Sequence, residues 1–223
     1  MWKKLRTPFL ALTCGCVFIT SANALLISNK VSNKANDTQT TYKFPNTVVL
    51  SEWQFIASHP IPRPQVRFNG LKANKSYQYN QNNLPLEIEM RYLEDGNIPL
   101  YLKQIMGISS YTAETLVIRQ REGVGYYALG THKERAFLSS CINARLNTTF
   151  TYEQFNQNSY QYQTNPQNIL SWFFGKENIQ DRRCLWAHLS IPIQKSSPES
   201  AYSTLEKAWS SWHEWWRPRF PKI

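Results

Sequence analysis

The sequence has no phosphate-binding glycine loop, no paired metal-ligand motif and no strand-turn-helix serine elbow. Nucleotide binding by such a loop, a zinc-type centre and serine-elbow acyl transfer therefore have no motif to rest on. The 4 His are scattered as His59, His132, His188 and His213 and form no ligand spacing. An internal basic stripe is also missing. The 25 Lys+Arg exceed the 15 Asp+Glu by +10, but Lys3, Lys4 and Arg6 precede an apolar segment, and Arg217, Arg219 and Lys222 crowd the C-terminus. That distribution speaks against a nucleic-acid partner. No small-molecule cofactor and no metal is expected.

Charge is absent altogether from residues 7–29. At about 1.5 Å per residue, a run of this length crosses a hydrocarbon core of roughly 30 Å. The basic MWKKLR ahead of it keeps the N-terminus cytoplasmic and sends the body across the membrane. The same stretch reads as a cleaved signal peptide, because residues 9–19 are the length of an apolar h-region and Ala22-Asn23-Ala24 has the small residues of a cleavage site. Cys14 and Cys16 fall inside it without the leucine three residues upstream that a lipoprotein site prefers. The expected organisation is a membrane anchor or signal segment over 1–27, a polar flexible linker over 28–43 and a single exported domain over 44–223.

What the exported part has in quantity is aromatic and β-branched residues, with 8 Trp, 12 Tyr and 11 Phe in 223 residues. Residues 47–57 (TVVLSEWQFIA) read as an opening strand, followed by an extended Pro60, Pro62, Pro64 path. Residues 75–79 and 84–93 form a hairpin around Asn80-Gln81-Asn82-Asn83, and Leu86, Ile88, Met90 and Tyr92 alternate with Glu87, Glu89 and Arg91. Residues 98–108 predict a short helix, and 116–120, 124–131 and 135–142 three strands of a meander. Residues 148–162 are ambiguous, with Thr151 able to cap a short helix, and 166–174 are helix-compatible. In residues 184–193, Leu185, Ala187, Leu189 and Ile191 share one face and Cys184, Trp186, His188 and Ser190 the other. Ser197-Pro198-Glu199 opens a last helix, whose Ala201, Leu205, Ala208, Trp209, Trp212 and Trp216 make one stripe. The fold expected is α+β, an antiparallel sheet built as a meander of hairpins with a few packed helices. Trp215, Trp216 and Phe220, interleaved with Arg217, Arg219 and Lys222, also suit a membrane-interface belt.

The chemistry that remains turns on residues 116–145. Cys141 ends an apolar strand, with Arg145 beyond it or Arg119 as the cationic partner and His132 or His188 as a base. A cysteine nucleophile needs such a base or a cationic field, and an arginine to hold an oxyanion. The arrangement superficially resembles a sortase, but FLSSC stands where the sortase threonine-leucine-x-threonine-cysteine signature is usual. Cys184 offers the other reading, a disulfide with Cys141 in an oxidising compartment. Arg119, Arg121, Glu122 and Arg135 around the hairpin, with Trp215, Arg217 and Arg219 at the C-terminus, are the partner-binding candidates.

The segments EIEMRY (87–92), VIRQREGVGYYAL (117–129), FLSSCIN (137–143), DRRCLWAHLSIPI (181–193) and AWSSWHEWWRPRFPK (208–222) resemble the cyanobacterial cyanoexosortase A system-associated proteins. The resemblance runs from about residue 44 to the C-terminus. It implies an accessory factor of a membrane exosortase, the transpeptidase-like enzyme that processes exported proteins bearing a C-terminal PEP-type signal. It implies no catalytic residues in this chain. A link to envelope or exopolysaccharide assembly and a periplasmic, single-pass inner-membrane location are the corresponding expectations. A cysteine-dependent peptidase using Cys141 and a passive envelope-binding module are the alternatives.

Overall fold

Alternation of apolar and polar residues builds a sheet whose two faces are both covered. The computed structural model describes residues 42–62, 70–108, 116–144, 147–174, 181–193 and 197–221, all within one compact unit, Tyr42–Ile223. The anchor or signal segment, the linker up to residue 41 and Arg145 lie outside the described residues.

Seven strands, β1 (Gln54–His59), β2 (Leu71–Gln81), β3 (Leu84–Leu93), β4 (Val117–Arg121), β5 (Gly125–His132), β6 (Arg135–Asn143) and β7 (Cys184–Pro192), pair antiparallel in the order β1-β2-β3-β7-β6-β5-β4. The β2–β3 turn places Asn82 and Asn83 at φ 50° and 64°, and the β5–β6 turn places Lys133 and Glu134 at 47° and 58°. Two consecutive left-handed residues match the twist of the flanking strands. Asparagine accepts that conformation readily, so the first turn was legible from sequence and the second less so.

An α+β fold is therefore present, but the expected meander is interrupted. β1–β3 and β4–β6 are each hairpin runs, and β7, last in the chain, inserts between them, pairing with β3 on one side and β6 on the other. Its burial explains the position. Every residue from Cys184 to Ile191 is buried, which only a central strand covered on both faces achieves.

Helix α1 (Ile98–Met106) is capped by Asn97, whose side chain accepts from the Leu100 N–H, and ends on Gly107 at φ 69°. Helix α2 (Tyr152–Thr164) extends well beyond the short helix expected there. Thr151 and Gln154 close a reciprocal capping box at its start, which satisfies orphan N–H groups that a polar Asn/Gln-rich sequence leaves open. Helix α3 (Pro166–Phe173) follows, capped by the Asn165 side chain. Helix α4 (Pro198–Trp216) is the long one, and all six residues of its predicted stripe are buried.

One face of the sheet packs Tyr77, Tyr79, Leu86, Ile88, Met90, Leu138, Leu185, Ala187 and Leu189 against α4. Trp212 sits at its centre, its indole N–H 3.3 Å from the Met90 sulfur and its ring edge-on to Tyr77 at 5.3 Å. The lead-in to β1 caps this face too. The strand begins only at Gln54, and Val48, Leu50 and Trp53 of the expected strand are buried in the core instead. Tyr79 donates to the Val48 carbonyl at 2.8 Å and Tyr77 to that of Pro45 at 2.9 Å. The other face gathers Leu93, Phe137, Cys141, Cys184 and Trp186 beneath α1, with Phe150 and Phe155. Gly96 is required here, since a Cβ would meet the Phe155 ring at 2.3 Å.

Candidate functional site

The chemistry-bearing residues fall on the face away from α4, in a row crossing β3, β7 and β6. Strand register places Arg91, Glu89 and Glu87 of β3 opposite Trp186, His188 and Ser190 of β7. These in turn lie opposite Cys141, Ser139 and Phe137 of β6. Period-two alternation is what sends this whole set to one side.

At the α1 end of the row, Cys141 and Cys184 are bonded, their Cα atoms 5.5 Å apart, within the span a disulfide bridges. The bond joins adjacent strands diagonally, because Cys141 pairs with Trp186 and Cys184 with Asn143. His188 lies one pair further along, beside Ser139. So the sequence placed cysteine and histidine on one face correctly. The Cys141 sulfur, however, lies at disulfide distance from that of Cys184, and Arg145 is not among the described residues.

Beyond the disulfide the row becomes polar. The Arg91 guanidinium stacks 4.7 Å over the Trp186 ring and donates through Nη2 to Glu89. Arg91 is only 3% exposed, and its Nε and Nη1 have no hydrogen-bond partner among the described residues. Trp186 donates to Ser139 Oγ at 2.7 Å. His188 stacks on Phe137 at 5.2 Å, and its Nδ1 has no partner among the described residues. Burial, then the positive charges of Arg91 and Arg135 and the neighbouring His132, hold its pKa down at about 3. Burial also pulls the Arg91 pKa down, opposed by Glu89. Arg135 closes the row, donating to Ser190 Oγ at 2.9 Å and to the Ser190 carbonyl at 3.0 Å, with Glu87 at 3.8 Å.

Such a row offers unfilled N–H donors and a neutral imidazole in a low-dielectric setting. A histidine with a pKa near 3 is a weak base at neutral pH. Among the described residues no three His, Cys, Asp or Glu side chains come together as a metal site. A small cleft beside the disulfide is lined by Asn143, Phe155, Asn158, Ser159, Tyr162 and Asp181.

The partner-binding candidates do not cluster. Arg119 reaches α4, with ion pairs to Glu199 at 3.0 Å and Glu206 at 3.1 Å, and Tyr127 donates to the same Glu206 at 2.8 Å. Arg121 donates to Ser210 of α4, while Glu122 is exposed. Arg135 belongs to the polar row. Trp215 is half-buried against Trp216 at 4.9 Å, under the Arg219 guanidinium at 4.5 Å, and Arg217 is exposed.

Sequence reasoning missed Arg91 and Trp186 as a pair. The alternation of β3 assigned Arg91 to a wet face. No local signal was available, because the cover over Arg91 depends on its strand pairing with the distant β7.

The class defined by these observations is an α+β domain with a seven-stranded antiparallel sheet and a disulfide-tied, partly polar face. No protein-family model, no curated protein and no solved structure matches the chain.

Proposed function

We propose that this chain is an accessory factor of a membrane exosortase, held at the inner membrane by its N-terminal segment with the domain facing the periplasm. The domain acts by binding, presenting substrate to the exosortase or stabilising it, and the partner enzyme supplies the cysteine chemistry. If residues 1–27 are instead cleaved as a signal, the same domain works as a free periplasmic protein. Support comes from the sequence resemblance over residues 44–223 and from the uncharged run over 7–29.

The observation that favours binding over a Cys141-dependent peptidase is the Cys141–Cys184 bond. A bond between these two sulfurs would occupy the nucleophile candidate, and such a bond suits an oxidising compartment. The test is detergent co-purification of the tagged full chain with the exosortase, run alongside the Cys141→Ser/Cys184→Ser double variant. Both forms are expected to retain the exosortase. Absence of the exosortase from the wild-type eluate leaves a passive envelope-binding module. Loss of sorting turnover on Cys141→Ser, with binding and fold intact, assigns the chemistry to this chain.

A further inference from the structure

Helix α3 is built inside out. At 100° per residue, Ile169, Leu170 and Phe173 form one stripe, and that stripe faces solvent, with Phe173 71% and Leu170 57% exposed. Trp172 and Phe174 extend it, both also exposed. The residues turned toward the domain are polar: Asn168 and Ser171 are half-buried, and Asn168 donates to the Tyr162 carbonyl of α2 at 2.9 Å. Helix α3 buries none of its side chains. A surface helix ordinarily turns its apolar stripe to the core, so this one is arranged to meet an apolar phase outside the domain.

We infer that α3 is an in-plane membrane contact that seats the domain on the bilayer through Ile169, Leu170, Trp172, Phe173 and Phe174. The inference rests on the membrane tether of the proposed function. Residues 7–29 carry no charge and are long enough to span, and the polar residues up to Tyr42 follow directly. A connection of that length spans at most about 40 Å even fully extended, which limits how far an anchored domain can stand from the bilayer. Composition agrees, because Trp and Phe beside aliphatic residues suit the headgroup boundary. Tethering converts a weak interfacial contact into a persistent one by raising its effective concentration.

The test uses the full chain alone, with Phe173→p-benzoylphenylalanine, in nanodiscs of phosphatidylethanolamine and phosphatidylglycerol, irradiated and read by mass spectrometry. A lipid adduct at position 173 is expected. It should fall at least tenfold when Ile169→Glu and Leu170→Glu are added, changes at exposed positions that leave the core intact. Crosslinking to a second copy or to residues 1–41 overturns the inference. So does a lipid yield no higher than with the photo-label at exposed Glu122. A chain that does not enter the discs removes the tether and the inference together. Because no exosortase is present, a lipid adduct combined with failed co-purification sinks the accessory role alone, and the reverse pair of results sinks the membrane contact alone.

Discussion

His188 is neutral in the folded chain, and this fixes the direction of an acid effect. Its folded pKa of about 3 lies below the unfolded value of roughly 6.5. Below pH ~6.5 the unfolded chain therefore binds a proton that the folded chain refuses. The stabilisation is whole above that pH and is lost as pH falls toward 3, with a limiting slope of about 1.4 kcal/mol per pH unit. His213, whose pKa burial and Arg217 also hold down against Glu214, steepens the same decline. Urea unfolding between pH 7.5 and 4 should show this slope, and His188→Gln should remove about one proton's worth of it. Arg91 makes a prediction of opposite signs. With Nε and Nη1 unpartnered, Arg91→Met removes donors that folding leaves unsatisfied, so stability should hold or rise by about 1 kcal/mol. Glu89→Gln keeps the buried cation and removes its counter-charge, so stability should fall by about 1–2 kcal/mol, discounted for the partial exposure of Glu89. Equal losses from both substitutions would contradict this reading of the row. The cysteine–histidine side was legible because period-two alternation is local. The stacking of Arg91 on Trp186 was not, because it depends on which distant strand becomes the neighbour.

Elements differed in how far local sequence determined them. The α4 stripe and the Asn82-Asn83 hairpin follow from spacing and turn chemistry and are found where expected. Residues 47–53 have strand composition, yet they serve as an apolar cap, with Glu52 at φ 67° breaking the extended path. Tertiary burial overrode β propensity there. Helix α2 was under-read for the opposite reason: its composition is polar, and it depends on its cap and on one buried side chain, Phe155. The disulfide stabilises this region. Its sequence separation of 43 corresponds to about 4 kcal/mol by loop-closure entropy. Reduction should lower the denaturation midpoint accordingly, and hydrogen exchange should show α2 and α3 losing protection before β3. Alkylation of both Cys141 and Cys184 in the purified oxidised protein would exclude the bond.

The sheet and α4 hold the whole domain as one cooperative unit. β7 bonds to both hairpin runs, and α4 lies across strands from each. Trp212→Ala removes the largest side chain at that junction and should cost about 3–5 kcal/mol. Both runs should melt together, so two separated calorimetric transitions would show that they are independent. The strand order itself was beyond sequence reading. Short turns announce sequential neighbours, but the pairing of β3 with β7 joins residues as far apart as Glu87 and Ser190 and leaves no local mark.

The middle strand is made last. Synthesis delivers β1 to β6 well before Cys184–Pro192, so β3 and β6 emerge with open edges facing a slot that nothing yet fills. Non-local closure of this kind is slow, and unpaired edges invite aggregation. A chain halted before residue 184 is two unjoined ribbons. Closure of the sheet waits for β7 to enter the slot between β3 and β6, with α4 following over the seam. Such a schedule delays commitment to the fold until most of the chain has been made.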